Sequence, residues 1–179
     1  MSHPVFHESP QERDGVMVTP LGRRDERMRY FVYRDVLEEL VFASEYEPEQ
    51  VCAALLLGPF GIERQGPFLE ITGFESLRYW APEAATAREV FEHLHGAMLE
   101  TFPKATSLIA ATGLSAVGMF AHVPWGEGGL EGRLAKVHLS LFNVPYQCAL
   151  VLDTKQDAMG LYGRAPGRGF FNTGFSLVG

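Results

Sequence analysis

Apolar residues follow two different periods in the first third of the chain, and each period predicts an element. Met28 to Tyr33 has the alternation typical of a β-strand, and Arg34 to Ser44 has the spacing of an amphipathic helix. The apolar positions of this helix share one face: Val36, Leu37, Leu40 and Val41. Gln50 to Leu57 is a continuous apolar run of strand length, which predicts a buried core strand.

The middle of the chain predicts a long strand and a long helix. Phe68 to Trp80 is extended in character and follows a turn rich in Gly and Pro over Gly58 to Pro67. Ala84 to Leu99 predicts an amphipathic helix. Its apolar stripe consists of Val90, Phe91, Leu94, Ala97 and Met98. Packing on a sheet is the simplest interpretation of this stripe, and a contact surface for a partner helix is the alternative.

The C-terminal half predicts a strand, a helix and three further extended segments. We expect a strand over Ser115 to Val123 and a helix over Leu130 to Leu141. Gln147 to Asp153 and Ala158 to Tyr162 are expected to form a hairpin, and Phe170 to Val178 to close the sheet. Strands interleaved with helices in this order predict a mixed α/β fold.

Residues 1–27 have no sustained period, so we expect a flexible arm before a single domain over residues 28–179. The hydrophobic fraction of 46% is that of a folded globule. A net charge of −7 argues against nucleic acid as a partner, because phosphate binding relies on clustered Lys and Arg. The chain shows neither an apolar run of membrane-spanning length nor a signal peptide, so we expect a cytoplasmic protein with no membrane partner.

The stretch from Val117 to Asp153 carries a longer pattern. It begins V-G-M-F-A-H-V-P, and nineteen residues after Pro124 comes Asn143 in the segment L-F-N-V-P-Y-Q-C-A-L-V-L-D. This pattern resembles the MPN (JAB/JAMM) family, whose metal-binding members read V-G-W-(F/Y)-H-(S/T)-H-P, then S-x-x-D after six residues, then F-F-N-x-P-(W/Y)-Q-V-A-L-V-(V/I)-D. The resemblance implies a curved mixed sheet flanked by helices.

The same resemblance implies that the zinc site of the family has been lost here. Its two histidines fall at Ala121 and Val123, its serine at Glu131 and its aspartate at Leu134. A catalytic zinc needs His, Asp, Glu or Cys ligands, and Ala, Val and Leu have no lone pair to offer. The general-base glutamate of the family falls at Val51, although a small shift would place Glu49 or Gln50 there. We therefore predict no cofactor and no metallopeptidase activity.

Three functions remain open at this point. The first is a non-catalytic scaffold that binds a protein partner as a homo- or heterodimer; the resemblance suggests a metal-bearing MPN relative or a component of a ubiquitin-like system. The second is an enzyme with a rebuilt metal site, for which His122, Glu127, Glu131 and His138 are donors. The third is a sensor of a small molecule or peptide. The candidate groove or interface residues are Phe91, Leu94, Met98, Phe120, His122 and Trp125.

Overall fold

The computed structural model describes residues 8–23, 27–46, 52–76, 92, 94–103, 114–123, 133–142, 144–154, 156–165 and 169–179. Three helices lie in this part of the chain: α1 (Arg34–Tyr46), α2 (residues 94–103) and α3 (Arg133–Leu141). The strands are β1 (Val18–Leu21), β2 (Arg29–Tyr33), β3 (Ala53–Gly58), β4 (Phe60–Glu63), β5 (Gly66–Ile71), β6 (Gly73–Ser76), β7 (Ser115–Val123), β8 (Cys148–Asp153), β9 (Ala158–Ala165), β10 (Gly169–Thr173) and β11 (Phe175–Val178).

These strands form two mixed sheets. Sheet A has the order β1-β11-β2-β5-β4, and sheet B has the order β10-β9-β8-β7-β3-β6. Strand β2 runs parallel to β11 and β5, β7 runs parallel to β8, and the other neighbouring pairs are antiparallel. The single α/β domain predicted from the sequence is confirmed. The one curved sheet that we expected is instead divided into two.

The strands near Gly58 explain this division. Strand β3 belongs to sheet B and β4 to sheet A, while β5 belongs to sheet A and β6 to sheet B. The chain therefore crosses between the sheets twice, and the Thr72 amide donates to the Leu57 carbonyl at 2.9 Å at this crossing. A Cβ on Gly58 would lie 1.8 Å from the Glu70 carbonyl oxygen, so only glycine fits there. The predicted strand from Phe68 to Trp80 is consequently broken at Thr72, and the predicted turn before it contains β4.

Among the described residues, three clusters of buried apolar residues result: a small one on sheet A, formed by Phe31, Phe68 and Val178, and two larger cores, one on each face of sheet B. The intersheet core joins both sheets and α1; its members include Val32, Leu40, Leu56, Ile71, Phe120, Leu150 and Leu177. The helix-side core lies between sheet B and helices α2 and α3; its members include Leu55, Leu94, Met98, Met119, Ala121, Val137, Phe142 and Val151. Alternation along β7 directs Phe120 to the first core and Ala121 to the second, as the period of a strand requires.

The N-terminal segment differs from the expected flexible arm. Residues 10–12 form a 3-10 turn, and β1 pairs antiparallel with β11 at the edge of sheet A. This pairing joins residues whose positions differ by about 160 along the chain, Val18 with Val178 and Leu21 with Phe175. The backbone pairing supplies hydrogen bonds that no short-range period in the sequence reveals. Residues 1–7 lie outside the described part of the chain.

Candidate functional site

The face of sheet B that would carry the family's zinc is apolar at β7. Ala121 is 1% exposed and belongs to the helix-side core. Its neighbours in the sheet are Ala53 on β3 and Val151 on β8. Val123 pairs with Asp153 through its backbone, and Leu134 lies in α3. The other positions implied by the resemblance fall outside the described residues: Val51, Glu131, Glu49 and Gln50.

A polar recess opens one strand away on the same face. It has a volume of about 280 Å³ and lies over β8, β9 and β10. Asp153 lines it and is 2% exposed. The other lining residues include Val151, Gln156, Gly160, Tyr162 and Asn172. Because Asp153 and Val151 are two apart on β8, both side chains project to the helix-side face, on the strand next to Ala121.

Small residues on β9 leave the space for this recess. Ala158 and Gly160 pair with Asp153 and Val151 across the β8–β9 ladder. A Cβ on Gly160 would come within 2.9 Å of both the Asn172 amide nitrogen and the Tyr162 ring. Glycine at this position therefore allows these two side chains to close over it. The result is a cavity with a buried carboxylate, an aromatic wall and amide groups.

Local hydrogen bonding fixes the carboxylate end of the recess. The Gln156 backbone amide donates to Asp153 Oδ1 at 3.1 Å, which holds the β8–β9 turn. Asp157 follows with a φ of 48°, a left-handed conformation that aspartate adopts more readily than most residues other than glycine. The sequence predicted the hairpin around Thr154 to Asp157, and the structure confirms it.

His122 lies on the opposite face from Ala121, as strand alternation predicts. It is fully buried, and its Nε2 lies 3.0 Å from Thr154 Oγ1. The structure therefore shows a buried histidine that is hydrogen-bonded. His138 projects from α3 toward β8, on the helix-side face, so sheet B separates the two histidines. They cannot ligate one metal ion.

His138 is enclosed by aromatic rings. Its ring stacks on Phe142 at 4.8 Å and meets Phe170 edge-on at 4.7 Å. Nε2 lies 3.1 Å from the Cys148 carbonyl oxygen, to which it donates. Nδ1 is buried with no hydrogen-bond partner among the described residues. Burial lowers the pKa of His138 to about 4, although the bond to Cys148 opposes this shift. The imidazole is therefore neutral near pH 7.

The two cysteines form no disulfide. Cys52 and Cys148 are both free, and β7 lies between the strands that carry or follow them. Burial raises the pKa of the Cys148 thiol to about 12, so this thiol stays protonated and is a poor nucleophile. Within the described ranges, no three His, Cys, Asp or Glu side chains come together as a metal site requires.

The candidate interface residues fall mostly in the interior. Leu94 and Met98 are fully buried in the helix-side core, and Phe120 is buried in the intersheet core. Core packing, the simplest interpretation of the stripe from the sequence, therefore accounts for Leu94 and Met98, and these buried residues offer no exposed contact surface. Phe91 and Trp125 lie outside the described residues.

A cluster of charged groups on the outer face of sheet A was missed by the sequence analysis. Arg13 donates to both carboxylate oxygens of Glu70, at 2.5 Å and 3.1 Å, and the Tyr33 hydroxyl donates to Glu70 Oε2 at 3.0 Å. Glu70 is 1% exposed, so this pairing compensates a buried charge. Arg13 and Glu70 are 57 residues apart in sequence, and no local pattern marks them as partners.

A second cluster lies beside the first. The Ser9 amide and hydroxyl donate to the two oxygens of Glu63 at 3.0 Å and 2.8 Å, and Arg29 forms an ion pair with the same carboxylate. Burial raises the pKa of Glu63, but the Ser9 hydrogen bonds and Arg29 outweigh that effect and lower it overall. Together the two clusters anchor residues 8–13 to the domain.

Comparison with known proteins gives a likeness of fold only. No family model and no curated protein matches the chain. Among solved structures, the solution structure of protein DSY2949 from Desulfitobacterium hafniense is similar, with a TM-score of 0.56 and 12% identity. The match covers 83% of this chain and 92% of that one. In the part of the chain that the structure describes, every helix is too short or too polar to cross a membrane.

Proposed function

We propose that this chain is a non-catalytic, MPN-like interaction domain that binds a protein partner. The observation that carries the proposal is the burial of Ala121 in the helix-side core, at the position where the resemblance places a zinc histidine. A catalytic zinc needs ligands with lone pairs and an open position for water. A packed alanine between Ala53 and Val151 provides neither.

Two aromatic residues on α1 support the binding role. Phe42 and Tyr46 are one helical turn apart, 69% and 78% exposed, and therefore present neighbouring rings on one helix face. Aromatic residues are enriched in the centres of protein interfaces, where they bury large area with little loss of entropy. Glu38, Glu39 and Glu45 are exposed on the same helix. The resemblance suggests a metal-bearing MPN relative, a ubiquitin-like system component or a second copy of the chain as the partner.

The experiment measures association directly. We expect the purified protein to scatter light as a dimer at micromolar concentration, or to form a stable complex with a protein from its native cell extract. The double variant Phe42→Ser, Tyr46→Ser should weaken this association and leave the free energy of unfolding nearly unchanged, because both rings are exposed. A matched control is Leu99→Ser with Leu139→Ser, which removes two half-exposed apolar residues from α2 and α3.

Two results would contradict the proposal. A strictly monomeric protein with no recoverable partner would remove the scaffold function and favour a small-molecule or peptide sensor that uses the recess. Tightly held zinc, at about one ion per chain, together with peptidase or isopeptidase activity would instead establish an enzyme.

A further inference from the structure

We propose that β1 is a pairing edge at which two copies of this chain join their A sheets, antiparallel and about a two-fold axis at Thr19. The proposal rests on the interaction function proposed above and names a second copy of the chain as the partner at this edge. The surface consists of residues 14–23 and does not involve α1.

The backbone of β1 directs hydrogen-bonding groups away from the sheet. In the described structure β1 is the last strand of sheet A and pairs with β11 alone. The Gly179 amide donates to the Met17 carbonyl across this ladder at 3.1 Å. Successive residues of an antiparallel strand direct their backbone groups to opposite sides. The Val18 amide and carbonyl and the Pro20 carbonyl therefore face outward, where a further strand can bond to them.

Pro20 restricts the register in which a second strand can be added. Proline has no N–H to donate, but its carbonyl still accepts. In the antiparallel register centred on Thr19, Val18 of each copy lies opposite Pro20 of the other, and the Val18 amide donates to the Pro20 carbonyl. This register uses every outward-facing amide of β1, and the two-fold axis makes the edge complementary to itself.

The apolar face of sheet A continues onto β1, where it remains exposed. Leu21 lies opposite Phe175, which is 8% exposed and belongs to the intersheet core. Leu21 itself is 38% exposed, and Met17, on the same face of β1, is 70% exposed. In the register centred on Thr19, Leu21 of one copy lies opposite Met17 of the other. The pairing therefore forms a cross-strand apolar contact on each side of the axis.

The charges around β1 favour the antiparallel arrangement. Edge strands that stay unpaired often carry a charged residue that blocks association, and β1, with the sequence V-T-P-L, has none. Asp14 and Arg23 are exposed and lie on opposite sides of Thr19, at nearly equal distances along the chain. The two-fold axis brings Asp14 of each copy toward Arg23 of the other, whereas a parallel pairing would place like charges together. Opposite charges thus meet at both ends of the pairing, although the net charge of each chain is −7.

The test measures the dissociation constant of the dimer by sedimentation equilibrium of the full chain over a series of concentrations. A single short strand from each copy forms an interface below the standard size, so we expect a dissociation constant on the order of 10 µM. Thr19→Lys places two like charges opposite each other at the axis and should raise this constant at least tenfold. Thr19 is exposed, so the urea midpoint of the variant should stay close to that of the wild type.

The matched control changes the net charge by the same amount at another edge. Ser76→Lys alters an exposed residue of β6, an edge strand of sheet B, and should leave the dissociation constant unchanged. An equal loss of association in Thr19→Lys and Ser76→Lys would show an effect of net charge and would overturn the pairing of β1.

A charge reversal tests the arrangement without altering the strand. Asp14→Arg and Arg23→Asp each place like charges at both ends of the pairing, so each should raise the dissociation constant about threefold or more. The double variant restores opposite charges and should return the constant to the wild-type value. A double variant as weak as the single variants would overturn the antiparallel arrangement.

The remaining outcomes separate this inference from the proposed function. A chain that stays monomeric at about 1 mM would overturn the homodimer, and if Thr19→Lys then weakens the capture of a different protein from cell extract, the occupant of β1 is another polypeptide. An association that Phe42→Ser with Tyr46→Ser removes and Thr19→Lys leaves intact would support the proposed function and overturn the pairing of β1.

Discussion

The buried histidine on α3 provides a quantitative prediction about acid stability. His138 is fully buried between Phe142 and Phe170, and its single hydrogen bond in the described structure goes to the Cys148 carbonyl. Burial lowers the pKa of its imidazole to about 4 in the folded protein, whereas a histidine in an unfolded chain titrates near a pKa of about 6.5. The two states therefore bind different numbers of protons between these values.

The sign and the size of the effect follow from this difference. Below a pH of about 6.5 the unfolded chain takes up a proton on this residue, and the folded protein does not until the pH approaches 4. Stability from the neutral imidazole is thus fully present above pH 6.5 and is lost as the pH falls toward 4. A gap of roughly 2.5 pKa units corresponds to about 3 kcal/mol of unfolding free energy.

The perturbation is His138→Gln, which keeps an N–H donor for the Cys148 carbonyl and does not titrate. We expect the variant to be less stable at pH 7.5 because it loses the ring contacts, by about 1–3 kcal/mol. Urea unfolding, followed by far-ultraviolet circular dichroism, measures the free energy of unfolding of both proteins at intervals from pH 7.5 to 4. As the pH falls, the difference between wild type and variant should change by about 3 kcal/mol in favour of the variant, so that its deficit shrinks or reverses. The acidic groups are the same in both proteins, so their contributions cancel in the difference between the two free energies of unfolding.

The experiment includes a control variant on the same helix, and one outcome would refute the prediction. Lys136→Gln alters an exposed residue of α3 and keeps His138, so its difference from the wild type should be independent of pH. A constant difference between wild type and His138→Gln from pH 6.5 to 4 would refute the reasoning. It would mean that the imidazole gains a proton as easily in the folded protein as in the unfolded chain.

Two further substitutions test the packing of sheet B. Ala121→His should lower the free energy of unfolding by about 1–3 kcal/mol, because it places an unpaired polar ring in the helix-side core. The control, Ala43→His on the exposed face of α1, should be tolerated. An unchanged urea midpoint for Ala121→His would show that this position is open to solvent. Gly118→Ala should cost about 1–3 kcal/mol, because its Cβ would lie 2.2 Å from the Cys148 carbonyl oxygen, whereas Gly73→Ala meets no atom within 4 Å and should be neutral in the same assay.

Local periodicity in the sequence predicted most elements because most of them bury one face. Helix α1 begins at Arg34 as predicted, and β7 spans Ser115 to Val123 as predicted. The predicted strand from Phe170 to Val178 was wrong in one respect: it divides at Gly174 into β10 of sheet B and β11 of sheet A. Alternation of side chains reports a strand but not the sheet to which it belongs, since that choice depends on pairing with distant residues.

The candidate site was predictable only in part for the same reason. The motif around Ala121 placed the apolar positions on β7, and strand alternation correctly separated His122 from them. The recess was not predicted, because it needs Asp153 on β8, Gly160 on β9 and Asn172 on β10 to meet across two ladders. Asp153 was visible in the sequence only as the last residue of an apolar run, a position equally typical of a strand end.

The contrast between β7 and its neighbours gives the proposed function its physical basis. At Ala121 the helix-side face of sheet B is closed by apolar packing, so no polar ligand reaches it without a large cost in buried, unpaired groups. One strand further, the same face carries Asp153 in a cavity floored by alanine and glycine. Catalysis by a metal requires several ligands converging on one point. The buried Ala121 provides none at the position where the resemblance expects a zinc histidine, and this is the reason why we propose a binding role rather than hydrolysis by a zinc-bound water.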